Sequence, residues 1–517
     1  MRRITILILL LIAAIAAVCG CSGGIAVTDP LYGNYYEIFV GSFYDSDGDG
    51  MGDLNGITQR LDYINDKNPD SKTSLHVDGI WLMPIMPSPS YHKYDVTDYF
   101  SIDPAYGTMK DFENLLKECK NRGVKVIIDL VLNHTSNQHP WFLKAAEELA
   151  EGAPGEFAAY YNVKDTLTTG FHPFGTGGPQ DLYYQGVFVD AMPDLNFDNE
   201  NVKKEIEKIA KFWLDKGVAG FRLDAIKHIY SDQGQNVEFI KWFSDYCRSV
   251  KKDVFLVGEV WSAAAEINAY AASGINSLFN FPFAQQTGII ANAIGQGAGE
   301  YFSNNLIKSR QALLESNPDA IDAPFLSNHD LDRSAVYFSN DLAKQKMAAA
   351  LYLFMPGNPF IYYGEEIGMT GSGKDENKRA PFHWSASDSI GETSGPSGMT
   401  SYIAPEKGAA EQLQDENSLL RFYIDAVALK NKHPAIAKGA TSPIDSGNKA
   451  VAAYQQTDGK SAIIILHNLG FDQASVTLPA ESSYELAGFL AASGGDVSLR
   501  GNSVDLPGFS STIIVCP

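Results

Sequence analysis

Residues Gly220-Phe221-Arg222-Leu223-Asp224-Ala225-Ile226-Lys227-His228 read as the end of a buried strand running into a crowd of ionisable groups. An apolar run that finishes in Arg, Asp, Lys and His needs those groups to meet a ligand or one another. A cation two residues before a carboxylate favours the anion at neutral pH, and an ionised, well-held Asp can act as a nucleophile. Taken alone, the segment fits a structural ion pair at a strand end equally well. The pattern repeats, however. Val124 to Leu132 is apolar but for Lys125 and Asp129 and runs into Asn133-His134. Val254 to Val257 leads into Gly258-Glu259-Val260-Trp261, and Pro324 to Leu326 leads into Ser327-Asn328-His329-Asp330. Asp224, Glu259 and Asp330 thus each stand where a short β-run stops. The strand C-termini of a (β/α)-barrel all open on one face, so three such carboxylates could converge on one cleft. Two carboxyls about one bond are what glycoside cleavage requires: one protonates the leaving oxygen, and the other attacks the sugar or activates water.

A second constellation is Asp45-Ser46-Asp47-Gly48-Asp49-Gly50-Met51-Gly52-Asp53. Four aspartates in nine residues repel one another unless a cation sits among them, and oxygen ligands on glycine-enabled turns select calcium. The run is similar to the first nine positions of an EF-hand loop. The closing Glu is missing, since Gly56 stands there, and no helix-like segment leads in. A solvated acidic turn is the alternative.

The elements that would position these groups alternate from Tyr35 to about Lys432. Tyr36–Phe43, Val77–Ile85, Val124–Leu132, Gly220–Leu223, Val254–Val257, Ser277–Phe281, Pro324–Leu326 and Pro359–Tyr363 supply eight strand candidates. Amphipathic helices lie between them. In one, Val202, Ile206, Ile209 and Trp213 recur at helical spacing and Gly217 ends the run. This alternation predicts an α/β fold, a (β/α)8 TIM barrel. A doubly wound open sheet is disfavoured, because no Gly-rich phosphate loop follows the first strand. Residues 135–195 interrupt the alternation with a Gly-, Tyr-, Phe- and Pro-rich insertion after the third strand, and connections of that length are usually functional. After Pro434, short alternating runs separated by turn signals predict a small antiparallel β-sandwich.

Five segments together resemble the α-amylase family, glycoside hydrolase family thirteen: DLVLNH (129–134), MPDLN (192–196), GFRLDAIKH (220–228), GEVW (258–261) and FLSNHD (325–330). The resemblance implies a calcium-binding, retaining α-amylase acting on α-1,4-glucans. Asp224 would be its nucleophile, Glu259 its general acid/base and Asp330 the carboxylate that steadies the transition state. It also implies sugar contacts from His134 and His329, stacking by Tyr94, and Lys227 and His228 lining the leaving-group side. Arg222 would favour the Asp224 anion, and the apolar neighbour Trp261 would raise the pKa of Glu259. For calcium it implies side chains of Asp45, Asp47, Asp49 and Asp53 and the carbonyl of Met51, with a second calcium conceivable near Asn133. Ala225 fits α-1,4 specificity. Tyr91 stands where oligosaccharide-cleaving glucosidases carry an Asp that closes the pocket, which predicts endo cleavage. MPDLN and the Lys378–Trp384 stretch point the other way, to oligosaccharide-acting members or a 4-α-glucanotransferase. A non-catalytic glucan-binding lipoprotein is disfavoured, because all three carboxylates are present.

The chain has 517 residues, 45% hydrophobic and 20% charged, enough for two or three soluble domains. Its 62 acidic and 40 basic residues give a net charge of −22, which argues against nucleic acid as a partner. Arg2 and Arg3 precede an apolar run from Ile4 to Val18 that is too short to span a bilayer and reads as a signal peptide. Val18-Cys19-Gly20-Cys21 resembles a bacterial lipoprotein box, with Cys21 as the lipidated residue. The expected divisions are a signal peptide at 1–20, a tether at 21–33, the barrel at 34–134 and 196–433, an inserted domain B at 135–195 and the sandwich at 434–517. The expected product is a monomer outside the cytoplasm, anchored by lipid to the bacterial membrane or cell surface. Cys119, Cys247 and Cys516 show no metal-like pairing and are expected as free thiols.

Overall fold

The computed structural model describes residues 30–175, 178–480 and 483–516. The expected signal peptide, Cys21 and most of the tether lie outside them. Among the described residues, no helix is long and apolar enough to cross a membrane.

Eight parallel strands form the barrel: β1 (Tyr35–Ile38), β2 (Gly79–Leu82), β3 (Lys125–Leu130), β4 (Gly220–Leu223), β5 (Phe255–Gly258), β6 (Ser277–Phe279), β7 (Ile321–Ala323) and β8 (Phe360–Tyr362). They pair in the order β7-β6-β5-β4-β3-β2-β1-β8. Between β7 and β8 the circle is closed by Asn358 N–H donating to the Asp322 carbonyl at 2.8 Å and Phe360 N–H to that of Pro324 at 2.9 Å. Nearly every strand residue is buried, as strands covered on both faces require. The helix at Glu200–Lys216 buries Val202, Ile206, Ile209 and Trp213 completely, and Gly217 ends it at φ 109°.

Several strands are shorter than expected, β2 among them at Gly79–Leu82 against 77–85, and two differ for identifiable reasons. β1 stops at Ile38, and Val40–Ser42 forms a 3-10 turn, because Gly52 packs there so closely that a Cβ would lie 2.1 Å from the Val40 carbonyl oxygen. β7 lies three residues before the expected Pro324–Leu326. Pro324 has no N–H to give a ladder, whereas Ile321–Ala323 pairs fully with Ser277–Phe279. Asp322 disguised this strand; its buried carboxylate accepts from Asn280 Nδ2 at 2.8 Å.

The long insertion folds into the helix Pro140–Ala150 and a three-stranded antiparallel sheet of Val163–Lys164, Phe171–Pro173 and Tyr183–Gln185. Phe142, Phe174 and Tyr184 pack ring to ring beneath it. An antiparallel bridge between His134 and Asp194 stitches the insertion to the end of β3.

The C-terminal part contains a five-stranded and a three-stranded antiparallel sheet. In the strand Ala462–Asn468, Ile464 and Leu466 belong to the core between the sheets, while Ile463 and Ile465 join the barrel's core. Strand periodicity of two thus seals the sandwich and glues it to the barrel. Cys119 and Cys247 are buried free thiols, and Cys516 is half-buried and free.

Candidate active site

Barrel register sets the site. Asp129 on β3 stands beside Arg222 on β4, and Arg222 beside Val257 on β5. The guanidinium is fully buried and serves three carboxyls. Its Nη1 donates to Asp129 Oδ1 at 2.8 Å and to Asp224 Oδ1 at 2.6 Å, and its Nη2 to Glu259 Oε2 at 2.7 Å. Ala225 adopts a left-handed conformation (φ 46°), and its N–H donates to Glu259 Oε2 at 2.9 Å. Asp224 and Glu259, each 8% exposed, are thereby fixed side by side at the strand ends.

Asp330 arrives from the other side. Its carboxylate meets Arg379 Nη2 at 2.8 Å and His329 Nε2 at 3.1 Å. His329 is wholly buried, and its Nδ1 lies 2.6 Å from Glu37 Oε1 on β1. The Tyr94 hydroxyl joins His329 Nε2 at 2.6 Å and donates to Asp129 Oδ2 at 3.0 Å. One network therefore links β1, β3, β4, β5 and the loop after β7.

Burial pushes the carboxyls of both Asp224 and Glu259 above their ordinary range, and Arg222 opposes the shift in each. Burial likewise raises Asp129, to about 7. For His329, burial acts downward, but Asp330 and Glu37 outweigh it and lift the imidazole to about 9. Burial also acts upward on Asp330, yet His329 and Arg379 hold it far below the usual carboxylate range. His134 is pushed down to about 4 by burial and is neutral.

Above these groups opens a cleft of about 680 Å³. Asp224, Glu259 and Asp330 share it with Tyr94, His134, Lys227 and His228. All five sequence segments meet at this cleft, through His134, Met192, Asp224, Glu259 and Asp330. The catalytic-domain model of α-amylase matches residues 37–439, and that of the SusG α-amylase C-terminal domain matches 451–513. The chain belongs to the α-amylase family. It is 41% identical over 446 residues to Alpha-amylase 3 of Dictyoglomus thermophilum, covering 85% of this chain and 86% of that protein. It is 29% identical to Alpha-amylase SusG of Bacteroides thetaiotaomicron, covering 84% of each. Among solved structures, Eubacterium rectale Amy13B superposes with a TM-score of 0.89 at 38% identity, over 94% of this chain and 95% of that one. Other relatives include an oligo-1,6-glucosidase of Bacillus cereus at 28% identity and a 4-alpha-glucanotransferase of Thermotoga neapolitana at 30%. The chain is thus an α-amylase-family glycoside hydrolase on a (β/α)8 barrel, acting on glucans.

The structure sorts this family member's expected residues into those that face the cleft and those beneath it. Arg222 and His329 lie beneath, and the ring nitrogens of His329 are occupied by Glu37, Tyr94 and Asp330 rather than open to a sugar. Trp261 is 42% exposed and stacks on Phe281, whereas the upward shift of Glu259 comes from its own burial, against Arg222. Tyr91 is not idle: its hydroxyl accepts from Arg379 Nη1 at 3.2 Å. Asp129, Glu37, Arg379, His92 and Phe188, all part of the site or its support, carry no role in the sequence reading. A buried acid inside the apolar run 124–132 and one inside Tyr35–Ile38 were the available signals for two of them.

In the acidic loop, Asp45, Asp47 and Asp49 each bring a carboxylate oxygen within 4.8 Å of the others. Asp53 is apart from this cluster: it caps the helix Leu54–Gln59, accepting from Gly56 N–H at 2.9 Å and from Ser46 N–H and Oγ at 2.8 Å each. At Gly56, where an EF-hand loop would carry its closing Glu, a Cβ would fall 2.0 Å from the Tyr44 carbonyl oxygen. No matching acidic cluster forms near Asn133 among the described residues; Asn133 Nδ2 instead donates directly to Asp194 Oδ1 at 2.9 Å.

Proposed function

We propose that the enzyme hydrolyses interior α-1,4 bonds of starch-like glucans and maltooligosaccharides with retention of configuration. Asp224 acts as nucleophile, Glu259 as general acid/base, and Asp330 as the anion that steadies the oxocarbenium-like transition state. The observation that carries this reading is the single guanidinium of Arg222 holding both Asp224 and Glu259. Sharing one cation keeps the pair close, and retaining cleavage needs a short separation, about 5 Å, whereas an inverting pair leaves room for water. One cation among three carboxyls also leaves a proton on the group best able to hold it. Glu259, raised by burial, then donates that proton to the leaving oxygen, while Asp224 attacks C1. Water, deprotonated by Glu259, releases the sugar in the second step.

His134 Nε2 is buried and lacks a partner within the protein, yet His134 lines the cleft. A sugar hydroxyl would satisfy it, since an unpaired buried polar atom is costly. Tyr94 offers its ring to the same sugar, and Lys227 and His228 extend the cleft on the leaving-group side.

For calcium, Asp45, Asp47 and Asp49 supply hard oxygen donors on tight turns at Gly48 (φ 86°) and Gly50 (φ 92°), which fits the ion. Met51 would add its carbonyl, and Asp53 would have to share its carboxylate with the helix cap. Bound calcium would offset part of the loop's negative charge and brace the contacts Asp45 N–H to Gly391 O at 3.0 Å and Ser394 N–H to Gly50 O at 2.7 Å. The lipobox-like Val18–Cys21 run supports a lipid anchor at Cys21 and a place outside the cytoplasm. The cleft is complete within one chain, which supports a monomer.

A second reading keeps the same chemistry on short substrates, as an α-glucosidase, maltodextrinase or glucanotransferase. The Arg379–Tyr91 hydrogen bond beside Asp330 favours it, because it does in neutral form what a pocket-closing ion pair would do. Amylose decides between them. Endo cleavage lowers iodine staining and viscosity quickly relative to reducing ends released, with mixed maltooligosaccharides as early products. Glucose as the dominant first product, at nearly unchanged polymer length, would establish the second reading.

A further inference from the structure

The positions of the His329 ring protons follow from its contacts. Nε2 stands 3.1 Å from Asp330 Oδ2. Asp330 is an anion, held also by Arg379 at 2.8 Å, and offers only lone pairs. The Tyr94 hydroxyl, whose own proton goes to Asp129 Oδ2 at 3.0 Å, is a second acceptor 2.6 Å from Nε2. A bare nitrogen there would set lone pair against lone pair, so Nε2 carries a proton. The other nitrogen, Nδ1, lies 2.6 Å from Glu37 Oε1, with one proton between them. That proton sits either on the ring, giving imidazolium and carboxylate, or on Glu37, giving a neutral pair.

Glu37 is out of character for its strand. Tyr35, Tyr36 and Ile38 fill the rest of β1 at 0% exposure, and Glu37 is 1% exposed, in register with Trp81 on β2 and Tyr362 on β8. A buried acid needs a matched charge, and His329 is its partner. Burial pushes the Glu37 carboxyl upward, and His329 pulls it back.

The surroundings decide where the proton rests. Asp330 touches the ring directly, while Asp129, Asp224 and Arg222 act on it from β3 and the end of β4. From the other side Arg379 Nε donates to the His329 carbonyl at 3.1 Å. Tyr94 and Tyr362 are neutral, and the Trp81 ring, 5.7 Å away in a T-shaped contact, supplies no charge. Burial opposes a cation here, but Asp330 and Glu37 outweigh it. Glutamine has the same reach as Glu37, yet its amide can donate as well as accept. Opposite glutamine, Nδ1 needs no proton.

We propose that Glu37 is a positioning residue for Asp330: as an acceptor-only partner it keeps the second proton on Nδ1, so that His329 stays a cation, points its Nε2–H at Asp330 and Tyr94, and leaves Asp330 flanked by two positive charges into the alkaline range. Glu37 is not among the residues lining the cleft and acts only through His329. The proposal rests on the reading of Asp330 as the anion that steadies the transition state.

The test follows the ring itself, by NMR of protein labelled at histidine Cε1, with His329 assigned by its absence from His329→Gln. Wild-type His329 should be an imidazolium at pH 7.5 and titrate near 9, against about 6.5 for an unperturbed histidine. In Glu37→Gln the midpoint should fall by at least about one pH unit, because a neighbouring anion is lost. Turnover on maltooligosaccharides is then compared at pH 6 and pH 8.5. The deficit of Glu37→Gln relative to wild type should be at least about fivefold larger at pH 8.5, where only the wild-type ring is still charged. Glu37→Asp keeps the anion, so its deficit should change less than about twofold over that range. A neutral His329 in wild type at pH 7.5, an unshifted midpoint in Glu37→Gln, or a Glu37→Gln deficit equal at both pH values would overturn the proposal. The reading of Asp330 fails separately: full turnover in Asp330→Asn would remove its role and leave the NMR result standing.

Discussion

His329 offers a test of the buried charge network, because its protonation can be followed through stability. The imidazole is wholly buried between Glu37 at 2.6 Å and Asp330 at 3.1 Å, and its pKa is raised to about 9. An unfolded histidine titrates near 6.5, so a shift of roughly 2.5 units corresponds to about 3 kcal/mol of linked stability. The sign follows from the raised value. The contribution is complete below about pH 6.5, declines as pH rises, and is gone above about pH 9. His329→Gln removes the cation at every pH while keeping a donor of similar reach. Denaturant midpoints of wild type and variant, taken from pH 5.5 to 10 and followed by near-UV circular dichroism, should differ most at the acid end and converge by about 3 kcal/mol towards pH 10. A gap constant across that range would refute the imidazolium. A gap that widens with pH would mean that His329 is buried neutral, and that Arg379 alone holds Asp330 ionised.

Asp224→Asn and Glu259→Gln should each reduce starch hydrolysis at least about 10³-fold, roughly 4 kcal/mol of transition-state stabilisation, with far-UV circular dichroism unchanged; a tenth of wild-type turnover in either purified variant would sink the assignment. Stripping calcium with a chelator should lower the melting temperature, and added calcium should restore it, since a ligand at about 100 times its Kd stabilises by about 2.7 kcal/mol; identical melting of verified calcium-free and calcium-loaded protein would refute a folding-linked site at Asp45–Asp49. Cys21→Ala should move the protein from the membrane fraction to the soluble fraction or arrest its processing, and a wild-type mature chain that begins after Cys21 would show the lipobox reading to be wrong.

What could be read from the chain was local. Apolar runs ending in Asp224, Glu259 and Asp330 marked the barrel's open face, and β4 ran from Gly220 to Leu223 as expected, because a fully buried strand with an ionic end has few other readings. β7 was displaced because Asp322 interrupts its apolar pattern, and only its partner Asn280, 42 residues away, explains that burial. Glu37 and His329 are 292 residues apart, and Phe188 meets His134 and His228 only after the insertion folds back. No spacing rule reaches such pairs. The capping role of Asp53 was hidden for a different reason: an aspartate that closes an acidic loop and one that caps a helix leave the same letter in the sequence, and only the Leu54–Gln59 helix reveals the cap.

The placement of cations accounts for the division of labour among the carboxyls. Arg222, His329 and Arg379 face Glu37, Asp129, Asp224, Glu259 and Asp330, so three positive charges meet five acidic groups. Full ionisation would leave two uncompensated negative charges in a buried site, which burial strongly disfavours. Protons must therefore remain, and their positions follow from the contacts. Asp330 has two cations within 3.1 Å and is driven well below its usual range. Asp129, Asp224 and Glu259 divide a single guanidinium, and all three are raised. Of these, Asp129 is sealed away from the cleft at 0% exposure, so it can store a proton but cannot deliver one to a substrate. Asp224 and Glu259 both reach the cleft; Asp224 shares Nη1 of Arg222 with Asp129, while Glu259 Oε2 accepts from Nη2 and from the Ala225 N–H. A proton on Asp129 removes that competition and leaves Nη1 to Asp224, which favours the Asp224 anion. On the roles proposed above, Glu259, raised by its burial, is then the cleft-facing group that serves as the acid. The proposed roles, with Asp330 as permanent anion, Asp224 as nucleophile and Glu259 as protonated acid, thus rest on where three cations stand, with no carboxyl differing chemically from the rest.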